Sequence, residues 1–243
     1  MTELSTQSLA QIVKANHKTA AIFEKYNLDF CCKGKRSLEQ ACAEKALPVD
    51  QVISELQTAA NSCHVAADFN KMSLAQLVDY IVLTHHKYVK EVMPQIFAYL
   101  QKVTSKHSDR HPELLKVFKE FTVLKEEMEE HMHKEETILF PRIKAVEKNG
   151  AEKIELNVNN TYLQAPVSMM EEEHEQAGRL LEEIRELTSN YTPPADACTT
   201  YRLSFAALQA FELDLHQHVH LENNILFPKA IELFKQINAE TLN

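Results

Sequence analysis

Apolar residues recur at alternating spacings of three and four along four long segments of the chain. The segments cover about residues 73–102, 112–147, 166–189 and 196–236. This spacing places the apolar side chains on one stripe of each helix, and such stripes pack toward the interior of a helix bundle. The pattern therefore predicts an up-down-up-down four-helix bundle over residues 72–238.

The region before the bundle carries shorter patterns of its own. A first helix is predicted over residues 8–26, the sequence SLEQ at residues 37–40 has the form of a capping box that begins a second helix, and Pro48 opens a third. The periodicity is lost over residues 61–71, which form a candidate linker. We expect a small helical N-terminal domain over residues 1–64 and an all-α fold for the chain.

The composition agrees with helices and limits the partners. The 243 residues include only 3 Gly and 8 Pro, whereas a sheet protein of this length needs many tight turns. The formal net charge of −9 disfavours nucleic acid or an anionic membrane as a partner. The sequence has no apolar run of 18 residues and no signal-peptide core at its N-terminus, so we expect a soluble protein of the cytoplasm.

One segment that contains histidine and glutamate occurs twice. HMHKEETILFP at residues 131–141 (the first copy) recurs as HVHLENNILFP at residues 218–228 (the second copy), with seven of eleven positions identical. In each copy the first histidine and the shared glutamate are four residues apart, so both project from one face of a helix, on the apolar stripe. These pairs are His131 with Glu135 and His218 with Glu222. His174 occupies a similar inward position on the third helix.

Glutamates that point into a bundle need compensation. An ionised carboxylate in the core costs free energy unless a cation or a hydrogen-bond donor accompanies it. A pair of metal ions would supply that compensation, with the carboxylates bridging the ions and the imidazoles capping the outer positions. A single histidine on an apolar stripe is more often a hydrogen-bonded core residue, and one HxxxE pair is a common surface spacing. Two copies in phase, together with a third inward histidine, favour the metal interpretation.

The other histidines of these helices are assigned by angle. His133 and His220 lie about 200° around the helix from the inward histidines, so they are predicted to lie at the surface. His85 and His86 on the first helix lie about 100° apart, and two stripes compete there. The stripe through Leu74, Val78, Ile81, Tyr88 and Val92 would include His85, and the stripe through Ala75, Val82, Val89, Met93 and Ile96 would include His86. Periodicity alone does not choose between them.

Several motifs together resemble a known family. The pattern of HxxxE, a single histidine and a second HxxxE over four helices is similar to the hemerythrin-like cation-binding domain. With YNLDFCCKGK at residues 26–35, EEEHEQAG at 171–178 and TPPADACTTY at 192–201, the chain resembles the di-iron iron–sulfur cluster repair proteins of the ScdA/YtfE type (RIC, repair of iron centres). The resemblance runs from about residue 20 to 228, and the N-terminal part is similar to the ScdA N-terminal domain.

The resemblance implies a ligand set and a cofactor. The family's six ligands fall on His86, His131, Glu135, His174, His218 and Glu222. The implied cofactor is two iron ions in a non-haem di-iron centre with oxo and carboxylate bridges, although zinc or manganese also accepts such ligands. The resemblance favours His86 over His85, and His107 falls on a histidine common in relatives, a candidate outer or labile ligand. Gly178 stands where oxygen-carrying hemerythrins have a further histidine, which favours open coordination positions and iron release.

Two adjacent cysteines form the second chemical feature. Cys31 and Cys32 strain to bridge each other, because consecutive Cα atoms are only about 3.8 Å apart. Lys33, Lys35 and Arg36 follow, and nearby cations favour the reactive thiolate. The alternative is two small apolar residues buried under a helix end. The match to the family favours a thiol or transfer site, with redox activity, transient iron contact or docking to a recipient as its role. The remaining cysteines, Cys42, Cys63 and Cys198, are interpreted as incidental.

The resemblance implies a function in the repair of iron–sulfur clusters damaged by oxidative or nitrosative stress, by donation of iron. The implied partners are damaged iron–sulfur proteins or a cluster scaffold, and small ligands such as nitric oxide or oxygen, for a monomer or homodimer. Three alternatives stay open: an enzyme that reduces nitric oxide or breaks down peroxide, a sensor that binds oxygen or nitric oxide, and a structural bundle without metal. Iron donation is not turnover of a substrate, so the sequence does not decide whether the protein is an enzyme.

Overall fold

Helices account for the regular structure of the chain. The computed structural model describes residues 3–31, 33–60, 68–152 and 161–241. Within these ranges there is no β-strand, and the one extended pairing is an isolated bridge between Ser8 and Ser37. The prediction of an all-α fold is confirmed. No helix within these ranges combines the length and the apolarity that a bilayer crossing requires.

Five short helices form the N-terminal unit. They are α1 (Glu3–Thr6), α2 (Leu9–Ala15), α3 (Ala20–Lys25), α4 (Leu38–Glu44) and α5 (Val49–Ala60), with a 3-10 turn at His17–Thr19. The capping box predicted at Ser37 is present, and Ser8 forms a second one with Gln11. The single helix expected over residues 8–26 is wrong. Asn16 takes an extended conformation and its side chain accepts from the Lys18 backbone N–H at 3.1 Å, an alternative to helical hydrogen bonding that breaks the helix.

Four long helices follow, and three of them contain a π-helical turn. The first consists of α6 (Leu74–Ile81), a π turn at Val82–His86 and α7 (Lys87–His107). The second consists of α8 (Glu113–Lys134), a π turn at Glu135–Leu139 and α9 (Phe140–Glu152); the third is α10 (Thr161–Leu187); and the fourth consists of α11 (Thr199–Leu221), a π turn at Glu222–Leu226 and α12 (Phe227–Thr241). They pack as a bundle in which α7 lies against α8 and α11, α8 against α10, and α9 against α12.

The π turn in the first long helix explains why two stripes competed in the sequence. Before the turn the buried residues follow the stripe of Leu74 and Ile81, and after it they follow the stripe of Val89 and Met93. A π turn fits an extra residue into one turn, so it shifts which positions face inward. Both stripes are therefore used, one on each side of the turn.

A similar shift in the second long helix overturns one prediction. The spacing of three and four that includes His131 and Glu135 predicts Ile138 as the next inward residue of this stripe. Ile138 is 45% exposed, however, whereas Leu139 is fully buried. The π turn that begins at Glu135 moves the stripe by one residue. In the third helix, which has no such turn, the predicted stripe is buried throughout. Its members are Val167, Met170, His174, Ala177, Leu181 and Ile184.

The N-terminal unit packs on the bundle through the loop between α3 and α4. Phe30, only 1% exposed, places its ring 6.3 Å from that of His216 and 5.5 Å from that of His220, both on α11. Around it, His216 Nδ1 lies 2.8 Å from the Glu24 carboxylate and Arg185 donates to Asn27 at 3.1 Å. The apolar core runs without a break from this unit into the bundle.

This packing corrects one of the two surface predictions. His133 is exposed, as predicted, but His220 is only 3% exposed. His220 does project away from the centre of the bundle, but the N-terminal unit, with Phe30, covers that side of α11.

Candidate metal centre

The inward histidines and glutamates form two overlapping groups at the middle of the bundle. In each group the ligand atoms lie within 4.8 Å of one another, and all the residues are buried. The first group is His86, Glu135, His218 and Glu222, and the second is His131, Glu135, His174 and Glu222. The structure thus brings together all six residues predicted as ligands and divides the histidines into two pairs that share two carboxylates.

The two glutamates lie between the histidine pairs. Glu222 Oε1 is 3.0 Å from His218 Nε2, and its Oε2 is 3.2 Å from His174 Nε2. Glu135 Oε2 is 3.3 Å from the Nε2 atoms of both His86 and His131. Each carboxylate therefore faces one histidine from each group, which is the arrangement expected of a bridging ligand.

The spacing within each histidine pair fits nitrogen ligands of one cation. The Nε2 atoms of His131 and His174 are 3.0 Å apart, and those of His86 and His218 are 3.2 Å apart. Two imidazole nitrogens bound to one metal at roughly 2.0–2.1 Å are about 3 Å from each other. Within the described residues, both oxygens of Glu135 and Oε2 of Glu222 are buried without a hydrogen-bond donor. A cation between the pairs would satisfy these oxygens, so the residues present fit a metal site.

The charges in the centre depend on one another. Burial raises the pKa of the Glu222 carboxyl, but the neighbouring His218 and His174 outweigh it and hold that pKa well below 4.5. Burial lowers the pKa of His131, but the negative charge of Glu135 and the hydrogen bond to Glu173 outweigh burial and raise this pKa to about 10. A proton on His131 therefore offsets part of the negative charge of Glu135, and metal binding to His131 would release that proton.

In three of the four histidines the outer ring nitrogen, Nδ1, lies within hydrogen-bond distance of a side-chain oxygen. His86 Nδ1 lies 2.7 Å from Glu136, His131 Nδ1 lies 2.8 Å from Glu173, and His174 Nδ1 lies 2.8 Å from Asn223. Metal-binding histidines usually donate this N–H to such an oxygen, which fixes the ring and leaves Nε2 for the metal. These partners were not predicted from the sequence. The available signal was position: two of them directly follow the shared glutamate of a copy, and the third directly precedes His174.

The π turns coincide with the centre. His86 is the last residue of the first π turn, whereas Glu135 and Glu222 are the first residues of the other two. Single π turns inside α-helices are frequent at functional sites, because the extra residue redirects neighbouring side chains. Here the redirection brings His86 onto the inward stripe in line with Val89.

Two histidines that were considered as further contacts lie outside both groups. His85 is buried, but its Nδ1 lies 2.9 Å from Asp214 and its ring stacks on that of His218 at 5.6 Å. His107 lies at the end of α7, where its ring packs against Tyr201 at 5.4 Å. His85 therefore borders the centre without joining a group, and His107 belongs to a separate aromatic contact.

A small cavity opens beside the second group. It has a volume of about 160 Å³, and its lining includes His131, Glu127, Glu130 and Glu173. Glu173 pairs with Lys134 as well as with His131. The hydrogen bond from His131 holds the pKa of the Glu173 carboxyl at about 2, so it is ionised at neutral pH.

The predicted thiol site lies at the junction of the N-terminal unit and the bundle. Cys31 is buried, and its thiol donates to the Asp29 carboxylate at 3.2 Å. It lines a cavity of about 400 Å³ together with Lys33, Arg36 and His216. Cys32, the other half of the predicted site, and Cys63 lie outside the described residues. Cys42 belongs to the apolar core and Cys198 is exposed.

Comparison with known proteins finds similarity over nearly the whole chain. The profile of the Hemerythrin HHE cation binding domain matches residues 77–230, and that of the ScdA_N domain, described as Domain of Unknown function (DUF542), matches residues 5–60. The "Iron-sulfur cluster repair protein YtfE" of Enterobacter sp. (strain 638) is 37% identical over 225 residues, which cover 93% of this chain and 96% of that protein. The proteins of that name from Escherichia coli O81 (strain ED1a) and Escherichia fergusonii are 37% and 36% identical over the same shares.

Proposed function

The chain belongs to the iron–sulfur cluster repair family whose members carry a hemerythrin HHE cation binding domain, and we propose that it repairs damaged clusters by donating iron from a buried di-iron centre. The observation that carries this proposal is the pair of glutamates shared between two histidine pairs. A single metal ion would need only one of the two ligand groups. Two overlapping groups with common carboxylates suit two metals held side by side.

In this proposal one histidine pair would hold each iron, and the two glutamates would serve both irons. The ligands would be His86 and His218 for one iron, His131 and His174 for the other, and Glu135 and Glu222 for both. Among the described residues four imidazoles belong to the two groups, and Gly178 offers no further ligand, so each iron would keep open positions. A low number of protein ligands favours release, which a donor requires.

We propose that residues 1–64 and 72–238 act as two domains, with the N-terminal one serving the transfer of iron. In support, the cavity that contains Cys31 extends to His216, which lies two residues before His218 on α11. Cys31 and Cys32 would contact iron in transit or dock the recipient. That recipient would be a damaged iron–sulfur protein or a cluster scaffold in the cytoplasm.

The test is restoration of a damaged cluster in vitro. Protein loaded with iron under anaerobic conditions would be mixed with an iron–sulfur enzyme whose cluster has been destroyed by nitric oxide, with sulfide and reductant supplied. We expect recovery of the enzyme's cluster absorbance together with loss of iron from the donor. The Glu135→Ala and Glu222→Ala double variant is the matched control and should give no recovery. Recovery that leaves the donor's iron content unchanged would contradict donation.

The open coordination positions also favour a second candidate, an enzyme that reduces nitric oxide or breaks down peroxide at the same centre. The two functions differ in what happens to the iron. An enzyme would consume many equivalents of nitric oxide or peroxide and keep its metal, whereas a donor loses its metal as the recipient gains it. Measuring consumption and iron content in the same sample separates them.

A further inference from the structure

The four histidines of the centre are held unequally. In the second group both outer nitrogens have a partner, since His131 is bonded to Glu173 and His174 to Asn223. In the first group only His86 has one, Glu136, and that carboxylate is shared with Lys90. Among the described residues His218 Nδ1 is buried without a hydrogen-bond partner.

Two neighbouring side chains leave the outer nitrogen of His218 without a hydrogen bond. Asp214 lies one helical turn before His218 on α11. Its Oδ1 lies 2.9 Å from His85 Nδ1, and within the described residues its Oδ2 is buried without a hydrogen-bond partner. The ring of His85 is nearly parallel to that of His218, with the ring centroids 5.6 Å apart and the planes inclined by 6°. The Nε2 of His218 lies 3.0 Å from Glu222, but its outer nitrogen is not fixed by a hydrogen bond.

An outer hydrogen bond changes how strongly a histidine holds a metal. It fixes the ring's orientation and tautomer before the metal arrives, and a carboxylate partner also makes the imidazole more basic. Loss of such a partner typically lowers metal affinity about 10–100-fold. The second group has two fixed imidazoles and the first has one, while both share the same two carboxylates.

We propose that the two metal positions are unequal: the His131–His174 position binds tightly, and the His86–His218 position holds the exchangeable metal. The second part rests on the proposed function, because it names which of the two irons is donated.

Equilibrium competition tests the inequality directly. The full-length metal-free protein would be titrated with Fe(II) under anaerobic conditions against a chelator of known affinity. Equilibrium is required because a cavity opens beside His131, so release rates report access as well as affinity. We expect two binding steps whose dissociation constants differ by about 10-fold or more beyond the statistical factor for equal sites. A single step, or two steps related by the statistical factor alone, would overturn the proposal.

Two variants of outer partners assign the steps without removing a ligand. Asn223→Ala takes away the partner of His174, so it should weaken the tight step and narrow the gap between the steps. Glu136→Ala takes away the partner of His86, so it should weaken the loose step and widen the gap. The opposite pattern would overturn the assignment. Circular dichroism of the metal-free variants checks that both are folded.

Failure of the inference and failure of the proposed function give different results. If the steps are separated as expected but no damaged cluster is restored, the inequality stands and donation fails. If clusters are restored but both metals bind in one step, donation stands and the inequality fails. If donation and inequality are both correct, protein loaded with a single Fe(II), which fills the tight position, should restore far less cluster per iron than protein loaded with two.

Discussion

The two copies of the histidine–glutamate segment share a backbone and differ in their surroundings. In both, the first histidine and the glutamate point into the centre, and a π turn begins at the glutamate. The residue after that glutamate differs: Glu136 holds His86 on the first long helix, and Asn223 holds His174 on the third. The second histidine also differs, because His133 is exposed and His220 is covered by Phe30.

Comparison of the copies separates the positions whose residue is determined by the centre from those whose residue is determined by neighbouring helices or the N-terminal unit. The identical residues point at the shared site or form the ILFP segment that follows it. The unlike residues adapt each copy to the helix or domain that it faces. The two segments therefore present the same residues to the centre, while the outer side of one faces solvent and the outer side of the other contacts the N-terminal unit.

Removal of the metal should produce the largest loss of stability, because the proposed metal site is the feature that the two copies have in common. Each site saturated about 1,000-fold above its dissociation constant contributes about 4 kcal/mol to the free energy of unfolding, so two such sites contribute about 8 kcal/mol. In a protein of this size each kcal/mol corresponds to about 2–4 °C in melting temperature. Chelation should therefore lower the melting temperature by roughly 10 °C or more. Scanning calorimetry with and without chelator measures this, and the double variant lacking Glu135 and Glu222 should show no response.

Replacing Phe30 with alanine should remove the packing of the N-terminal unit on the second copy and leave the first copy unchanged. The ring is fully buried, and truncating a buried phenylalanine typically costs about 3–5 kcal/mol in unfolding free energy. Urea denaturation measures the cost, and hydrogen exchange should rise around His220 and not around His133. Leu115→Ala is a control, since Leu115 is 58% exposed and its truncation should change stability by less than about 0.5 kcal/mol. Equal losses for the two variants would refute the packing described.

The second histidines of the copies offer a matched pair of substitutions. His220→Ala removes a buried ring that contacts Phe30 and should cost about 1 kcal/mol or more. His133→Ala removes an exposed ring at the equivalent position and should stay within about 0.5 kcal/mol of the wild type. Denaturation midpoints compare the two at a common pH. Neither substitution touches a proposed ligand, so the metal content should not change.

The smallest effect concerns the helix that leads into the second copy. Glu212, six residues before it, is 4% exposed, and burial raises the pKa of its carboxyl above 4.5 despite His216 and Arg185 nearby. A carboxyl with a raised folded-state pKa stabilises the fold below its unfolded pKa and loses that contribution as the pH rises through the folded value. Glu212→Gln should therefore be more stable than wild type at pH 7, and the difference should vanish below about pH 4.5. A pH-independent difference would contradict this.

The sequence predicted the features that depend on period and composition. The inward stripe of the third helix, the capping box at Ser37 and the grouping of six histidines and glutamates follow from spacing or from family motifs, and the structure has them. A helical period carries this information because it repeats over many turns.

What the sequence did not predict depends on single turns and on distant contacts. The π turn at Glu135 brings Leu139 onto the inward stripe, and no local pattern marks where the extra residue enters. Burial of His220 requires Phe30, which is 190 positions away in the chain. The outer partner of His131 lies on another helix. A period fitted within one helix contains none of these contacts.

The central claim is that the paired segments hold two metals through shared glutamates, and metal content tests it most directly. Protein prepared without oxygen would be analysed for iron per chain, for the wild type and for the double variant Glu135→Ala with Glu222→Ala. The account predicts two irons in the wild type and none in the double variant, with the helical content of both preserved. A well-folded wild type without metal, or a double variant that keeps both irons, would contradict it.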